Sequence, residues 1–211
     1  LENHNQLQAV LSAQLSSAIT VWIKLDTGMH RLGFQPEDAS YVYQQLSDSP
    51  NVAEDIVLAT HFACADNLDN DFTRQQLCNF EVAINDIDQP NLLKSLANSA
   101  AILDWPEVKD DWQRPGYMLY GASPFSVPQE NAEQLQQVMH FQSAVISTRS
   151  IKTGESVGYT ANWTAQRNST IATVAVGYGD GYPRHAPNGT PVLINGVKCP
   201  LVGKVSMDMI T

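Results

Sequence analysis

Polar side chains that could do chemistry stand where the predicted strands of the first half of the chain end. Lys24 and Asp26 follow the first strand, His61 the second, Asn98-Ser99 the third and Tyr120-Gly121 the fourth. Polar residues are common at strand ends, but in βα barrels the carboxyl ends of the strands carry the reactive groups. Four such ends in succession predict a functional site at that edge.

Other well-known catalytic and metal-binding patterns are absent. The histidines form no HxH or HExxH group, and no cysteine–histidine cluster has zinc spacing, so we expect no metal. The chain has no GxSxG elbow, no GxxxxGKS/T loop and no GxGxxG fingerprint. The glycine-rich segment 177–181 follows a predicted strand and opens no helix, so we interpret it as a turn that presents Tyr178.

The elements that must position these residues alternate between helix and strand over residues 1–135. Helical spacing is found at 7–15, 36–46 and 73–87, and strand patterns at 19–26, 55–65, 95–97 and 117–120. This alternation predicts an α/β fold with a parallel sheet or barrel. Four βα units make half of an eight-stranded barrel, which usually takes about 250 residues.

The pattern changes after residue 136 to short strands rich in β-branched and aromatic residues. Strands are predicted at 141–148, 156–164 and 170–176, and Asn195-Gly196 between apolar arms predicts a tight hairpin. We therefore expect a βα domain at 1–135 and an all-β domain at 136–211. Because the sequence stops within a strand pattern, the β domain is expected to be truncated at its C-terminus.

Composition excludes several functional classes. Twelve basic residues against twenty-two acidic ones give a net charge of −10, which argues against nucleic-acid binding. Cys64, Cys78 and Cys199 are widely spaced without a CxxC pair, which favours a reducing cytoplasm over a disulfide framework. No apolar run approaches the roughly eighteen residues of a membrane span, so no membrane partner is expected.

Six segments, in matching order and spacing, resemble alanine racemase, a family of homodimeric enzymes of fold type III that use pyridoxal 5′-phosphate (PLP). They are 22–34 (WIKLDTGMHRLGF), 60–66 (THFACAD), 98–101 (NSAA), 114–121 (RPGYMLYG), 177–184 (GYGDGYPR) and 205–208 (VSMD). The resemblance implies the C-terminal half of a (β/α)8 TIM-type barrel, strands five to eight, followed by part of a β domain. It also implies interconversion of L- and D-alanine, supplying D-alanine for bacterial peptidoglycan.

The resemblance implies a set of cofactor ligands. Ser99 and the backbone at Gly116 and Tyr117 would hold the PLP phosphate, although isoleucine is common in the family where this chain has Tyr117. Arg114 would hydrogen-bond the pyridine nitrogen, and His61 would lie beside the cofactor. Because a guanidinium can only donate, Arg114 would keep that nitrogen unprotonated, which weakens the ring as an electron sink and favours simple proton exchange.

Racemisation needs a base on each face of the α-carbon, and the resemblance assigns one of them to Tyr178. A free tyrosine has a pKa of about 10, so only roughly one in a thousand is ionised at neutral pH. The family uses a relay for this purpose, which corresponds here to Arg114, His61 and Tyr178. The other base is the lysine that forms the Schiff base with PLP.

Three further residues are implied to contact or orient the substrate. Arg31 resembles the ligand of the substrate carboxylate and a cofactor oxygen, and Lys24 resembles the lysine that is often carbamylated to orient that arginine, which would turn a repelling cation into a partner. Met207 resembles the residue that meets the substrate carboxylate. Tyr178 and Met207 would reach the active site of the other subunit, so the resemblance implies an obligatory homodimer.

The main departure from the family concerns the Schiff-base lysine. In the family it lies on the first barrel strand, in a segment that these 211 residues do not contain, and neither Lys24 nor Lys94 has the corresponding context. The chain alone is therefore expected to be inactive. Alternatives are a broad-specificity amino-acid racemase, a distantly related basic amino-acid decarboxylase, and a non-catalytic fragment that acts as an assembly module through its exposed strand edges.

Overall fold

A computed structural model describes all residues from Leu1 to Thr211 and divides them into two units, 1–139 and 140–211. Unit 1 contains α1 (His4–Ser12), β1 (Ile19–Lys24), α2 (Ala39–Ser47), β2 (Val52–Ala59), α3 (Phe72–Ile84), β3 (Leu93–Ser95), α4 (Ser99–Asp104) and α5 (Glu130–Glu133). None of its helices, nor any in unit 2, has both the length and the apolar character needed to cross a bilayer.

The three strands of unit 1 form one parallel sheet in the order β1-β2-β3. Val21, Ile23 and Leu25 are buried at alternate positions, while β2 ends in the continuous buried run 56–59, as expected for a central parallel strand covered on both faces. Helices α2 and α3 contribute Val42, Leu46, Phe80 and Ile84 to the same core. The predicted βα alternation is confirmed; the sheet is open and does not close into a barrel.

The prediction of a fourth strand at 117–120 is wrong, because Tyr117–Tyr120 forms a 3-10 turn. Tyr117, Leu119 and Tyr120 are all more than half exposed, so no burial favours an extended strand there. The turn ends at Gly121 in the left-handed region (φ 77°), where a β-carbon would lie 1.8 Å from the backbone oxygen of Gln136. The sheet therefore has three strands instead of the four expected.

The strands also end earlier than predicted. Strand β1 ends at Lys24, β2 at Ala59 and β3 at Ser95, two to six residues before the limits expected from sequence. After β3 a side chain takes over as hydrogen-bond partner: the Asp110 carboxylate accepts from Leu96 N and Ala97 N at 3.0 and 2.8 Å. Lys24 thus ends β1 and Ser99 begins α4, while Asp26, His61 and Asn98 lie in loops at the carboxyl edge of the sheet.

Unit 2 is built from antiparallel strand pairs. Its elements are β4 (Val145–Ile151), β5 (Ser156–Val157), β6 (Trp163–Thr164), β7 (Ser169–Val174), β8 (Pro191–Ile194) and β9 (Val197–Pro200), paired as β4-β7, β5-β6 and β8-β9. Its small core consists of Val174, Val176, Leu201, Val205 and Ile210. The predicted hairpin is confirmed, since Asn195 and Gly196 have φ of 50° and 80° as a type I′ turn requires.

The prediction of a single strand at 156–164 is wrong. Two short strands, β5 and β6, enclose a 3-10 turn at Tyr159–Ala161. Thr160 and Ala161 have φ of 62° and 48°, which no strand can contain. The chain reverses its direction from Gly158, which has φ 73°. The alternation of polar and apolar residues in this segment resembled a strand although the segment contains a turn.

Candidate active site

A cavity of about 540 Å³ lies in unit 1 at the carboxyl edge of the sheet. It is lined by all five residues that the family resemblance assigns to the cofactor: His61, Ser99, Arg114, Gly116 and Tyr117. Asp66 is the one acidic side chain among the lining residues. Residues far apart in the sequence are thus brought together by the parallel strands and the loops that follow them.

Ser99 is held at the start of helix α4 by its neighbour Asn98. The Asn98 side chain caps the helix by accepting from Ala101 N at 3.1 Å, and its amide donates to the carbonyl of Phe62 at 3.2 Å. Ser99 Oγ is buried and accepts from the backbone N–H groups of Gly116 (3.0 Å) and Met118 (3.2 Å). Because a hydroxyl has two lone pairs and one hydrogen, its O–H remains free to donate to a ligand.

Arg114 spans the ends of β2 and β3. Its guanidinium donates to Ser95 Oγ and to the carbonyl of Thr60, both at 2.5 Å, and more weakly to the carbonyl of Leu96 at 3.3 Å. Burial lowers the pKa of Arg114, and the nearby Asp110 carboxylate acts in the opposite direction. These three hydrogen bonds hold the Arg114 guanidinium in one orientation where it lines the cavity.

His61 is held in its neutral form. Burial lowers its pKa to about 4, and the positive charges of Arg114, Arg31 and Lys24 add to this effect. A neutral imidazole offers one donor and one acceptor nitrogen, so it can link two partners. Arg114 and Asp66 are the charged side chains that line the cavity, one of each sign.

We expect the lowered pKa of His61 to make unfolding pH-dependent. Between about pH 6.5 and pH 4 the unfolded chain binds a proton at His61 that the folded protein does not, so the free energy of unfolding falls as the pH drops through this window. The loss is about 1–2 kcal/mol after allowance for the partial exposure of His61. In denaturant unfolding, the free energy of unfolding of His61→Gln should not show this fall between pH 6.5 and pH 4. An identical pH dependence in variant and wild type would contradict the burial of a neutral imidazole.

The loop after β1 carries Arg31 and is closed by Asp26. Asp26 Oδ1 accepts from the backbone N–H groups of Gly28 (3.1 Å) and His30 (2.9 Å). Burial alone would raise the pKa of Asp26, but these bonds and the His30 side chain together lower it. Gly33, at φ 132°, brings the loop back so closely that a β-carbon would lie 2.7 Å from Asp26 N.

Arg31 and Lys24 are not brought into direct contact with the cavity. Arg31 is exposed, and neither residue lines the cavity, although the charges of both act on His61. The Lys24 ammonium pairs with Glu2 at 3.7 Å. As an unmodified cation, Lys24 therefore pairs with the carboxylate of Glu2 and not with Arg31.

Tyr178 and Met207 lie together in unit 2. Tyr178 begins the 3-10 turn Tyr178–Asp180, and its N–H donates to the carbonyl of Ser206 (3.0 Å) while Gly179 N donates to that of Met207 (2.8 Å). Both residues line a cavity of about 960 Å³, in which the Arg184 guanidinium lies 5.4 Å from the centre of the Tyr178 ring. The glycine-rich turn therefore presents Tyr178 at the surface, as its sequence predicted.

Sequence reasoning missed a set of buried polar side chains beneath the site. Thr27, Thr60, Gln76 and Ser95 are each at most 2% exposed, and all four are hydrogen-bonded. Thr27 and Thr60 lie next to singled-out residues, which was a signal of their importance. Gln76 occurs in the middle of a helix, where glutamine is usually a surface residue, and carried no such signal.

The fold and the site define an α/β protein with a polar cavity at its strand ends, together with a β unit that presents a tyrosine. The chain belongs to the alanine racemase family. The family model for the alanine racemase N-terminal domain matches residues 1–124, and that for the C-terminal domain matches residues 138–211.

Individual relatives agree with this assignment. Alanine racemase from Pseudomonas taetrolens is 52% identical over 206 residues, which is 98% of this chain and 57% of the relative. The crystal structure of biosynthetic alanine racemase from Pseudomonas aeruginosa matches with a TM-score of 0.90 at 45% identity, covering 100% of this chain and 57% of that one. Alanine racemase from Bartonella henselae, with covalently bound pyridoxal phosphate, matches with a TM-score of 0.74 at 30% identity over 90% and 52% of the two chains. The chain thus spans just over half the length of these relatives.

Proposed function

We propose that the protein containing these residues is a PLP-dependent racemase that interconverts L- and D-alanine and supplies D-alanine for peptidoglycan. The observation that supports this most strongly is the convergence of His61, Ser99, Arg114, Gly116 and Tyr117 around one cavity. These are the residues that the family resemblance assigns to the cofactor. We also propose that unit 1 supplies the last strands of a (β/α)8 barrel.

The cavity residues fit the chemistry of PLP. The phosphate would accept from the free O–H of Ser99. A β-carbon at Gly116 would meet nothing within 4 Å, so there is space for a ligand beside this residue, whose N–H donates to Ser99 Oγ. The cavity volume of about 540 Å³ is in the usual range for small-molecule sites.

The protein's own groups would control the protons. When bound, PLP would supply an electron-withdrawing ring that acidifies the α-hydrogen of the amino acid. Arg114 would direct a guanidinium N–H to the pyridine nitrogen, and neutral His61 would accept from Arg114 with one nitrogen and donate to the phenolic oxygen of the partner subunit's Tyr178 with the other. Tyr178 Oη would then hold or release the proton on one face of the α-carbon.

The remaining residues would position the substrate. Arg31 and the Met207 backbone would bind its carboxylate, and a carbamylated Lys24 would orient Arg31. Tyr178 and Met207, which unit 2 presents side by side, would serve the active site of the partner subunit in a homodimer. The second base and covalent anchor would be a lysine outside these 211 residues.

The proposal is tested by measuring D-alanine formation from L-alanine with PLP, in the full-length protein and in the 211-residue chain. We expect turnover in the former and none in the latter, because Lys24 and Lys94 pair with Glu2 and Glu81 and neither lines the cavity. Absence of turnover in the full-length protein would overturn the racemase assignment. Turnover by the 211-residue chain would overturn the assignment of the anchoring lysine.

Ser99→Ala should weaken PLP binding about ten- to a hundred-fold, the usual effect of removing one hydrogen bond to a charged group. The measurement is a titration of the protein with PLP followed by absorbance. Ser126→Ala is the matched control, because Ser126 lines the same cavity but is exposed. Equal losses in the two variants would contradict a phosphate contact at Ser99.

A further inference from the structure

Gln76 is a fully buried polar residue in helix α3, with 0% of its surface exposed. Burial of an amide without hydrogen-bond partners costs several kcal/mol, so a glutamine is kept in a core only where its bonds are satisfied. The Gln76 amide satisfies this condition with partners that belong to the loops around the cavity.

The amide clamps the backbone on both sides of Phe62. Its oxygen accepts from Ala63 N at 2.8 Å, and its nitrogen donates to the carbonyl of His61 at 3.0 Å. The same nitrogen donates to Thr27 Oγ1 at 3.3 Å, in the loop after β1. One side chain thus ties the helix to both strand-end loops.

The direction of the hydrogen bonds between Thr27, Thr60 and Leu25 follows from the single hydrogen that each hydroxyl carries. Thr60 Oγ1 donates its single hydrogen to the carbonyl of Leu25 at 2.9 Å, so in the 2.8 Å contact between the Thr27 and Thr60 hydroxyls Thr27 must be the donor. Thr27 then accepts from Gln76, and the chain runs one way from Gln76 to Leu25. Bonds in such a chain reinforce one another in a buried setting.

Both cavity residues of the suggested relay are attached to this chain. His61 is held through its carbonyl by Gln76, and Arg114 donates to the carbonyl of Thr60 at 2.5 Å. We propose that Gln76 is a positioning residue, which fixes the His61 imidazole relative to the Arg114 guanidinium by locking the backbone from Thr60 to Ala63. Its catalytic use rests on the proposed racemase function, whereas the positioning itself does not.

The pKa of His61 is the readout that separates positioning from mere stability. The charges that act on the imidazole are those of Arg114, Arg31 and Lys24. Gln76→Met keeps the side-chain volume but removes both amide groups, so the loop relaxes and His61 moves towards water. We expect its pKa, measured by NMR titration of the cofactor-free protein with labelled histidine, to rise from about 4 by at least about one unit towards 6.5.

The matched control is Asn79→Ala on the same helix. Asn79 Nδ2 also bonds the loop after β1, donating to the carbonyl of Thr27 at 3.0 Å, but it does not bond any residue of 60–63. Both variants should unfold more easily, yet the pKa of His61 should remain unchanged in Asn79→Ala. An unshifted His61 in folded Gln76→Met, or equal shifts in both variants, would overturn the proposal.

A second measurement needs no variant and covers the case in which Gln76→Met does not fold. The Ala63 amide lies outside any strand in an exposed residue, so without Gln76 it would exchange with solvent rapidly. We expect slow hydrogen exchange at Ala63 in the wild-type protein without cofactor. Exchange at the rate of an open loop would overturn the clamp, whatever the outcome of the racemisation assay.

Discussion

Tyr178→Phe should lower racemisation of alanine by roughly a hundred- to ten-thousand-fold in the full-length protein, the usual range for loss of a general acid or base. The variant removes only the phenolic oxygen, the atom proposed to exchange the proton on one face of the α-carbon. Since each direction of racemisation uses both bases, the rates from L- and D-alanine should fall together. PLP binding should change little, because Tyr178 lies in unit 2 and the proposed cofactor ligands lie in unit 1.

Tyr159→Phe is the matched control for this prediction. Tyr159 lines the same cavity of unit 2 as Tyr178 and is 69% exposed, so loss of its hydroxyl should change the rate by less than about two-fold. If Tyr178→Phe behaved like Tyr159→Phe, Tyr178 would not be a base. If both variants racemised alanine much more slowly than wild type, the loss would reflect a disturbance of the whole cavity and not the loss of a base at Tyr178.

Gly177→Ala should destabilise the protein by about 3 kcal/mol, through steric overlap rather than backbone strain. Gly177 has φ −145°, which any residue can adopt, but its β-carbon would lie 2.2 Å from the carbonyl oxygen of Met207 and 2.4 Å from that of Ser206. The two segments must separate, which breaks the bond from Tyr178 N to Ser206. Denaturant unfolding measures the loss, and racemisation should fall as well because Tyr178 and Met207 are displaced.

Gly179→Ala provides the comparison within the same turn. Its β-carbon would approach the Met207 carbonyl oxygen to 3.1 Å, a contact that a shift of a few tenths of an ångström relieves. We expect a loss of about 1 kcal/mol. Equal stability of Gly177→Ala and wild type would contradict the close packing of the 177–181 turn against 206–207.

The parts of the fold that were predictable from sequence are those in which neighbouring residues carry the information. Strand β1 follows from the run Ile19–Lys24, whose β-branched residues favour an extended chain. The hairpin at Asn195-Gly196 follows from two adjacent residues that tolerate positive φ. Both signals are contained within a few neighbouring residues.

The two mispredicted strands depended on distant contacts and on exposure. Tyr117–Tyr120 has a strand-like composition, but Ser99 binds the N–H groups of Gly116 and Met118 and holds the segment in a 3-10 turn. In the 156–164 segment, Asn188 holds Asn162 by donating to its carbonyl at 3.2 Å, which helps fold the predicted strand into a turn. Neither contact can be read from periodicity.

The sequence by itself determined which residues are candidates for chemistry: His61, Ser99, Arg114 and Tyr178 stand in motifs whose order and spacing indicate the alanine racemase family. Only the tertiary structure decided their environments. Burial and three converging cations keep His61 neutral, Glu2 engages the Lys24 ammonium, and the enclosed position of Gln76 turns an ordinary helix residue into the link between two loops. The physical reason is that charge state and hydrogen-bond partner depend on which groups share a volume without water, and this is set by packing between residues distant in the chain.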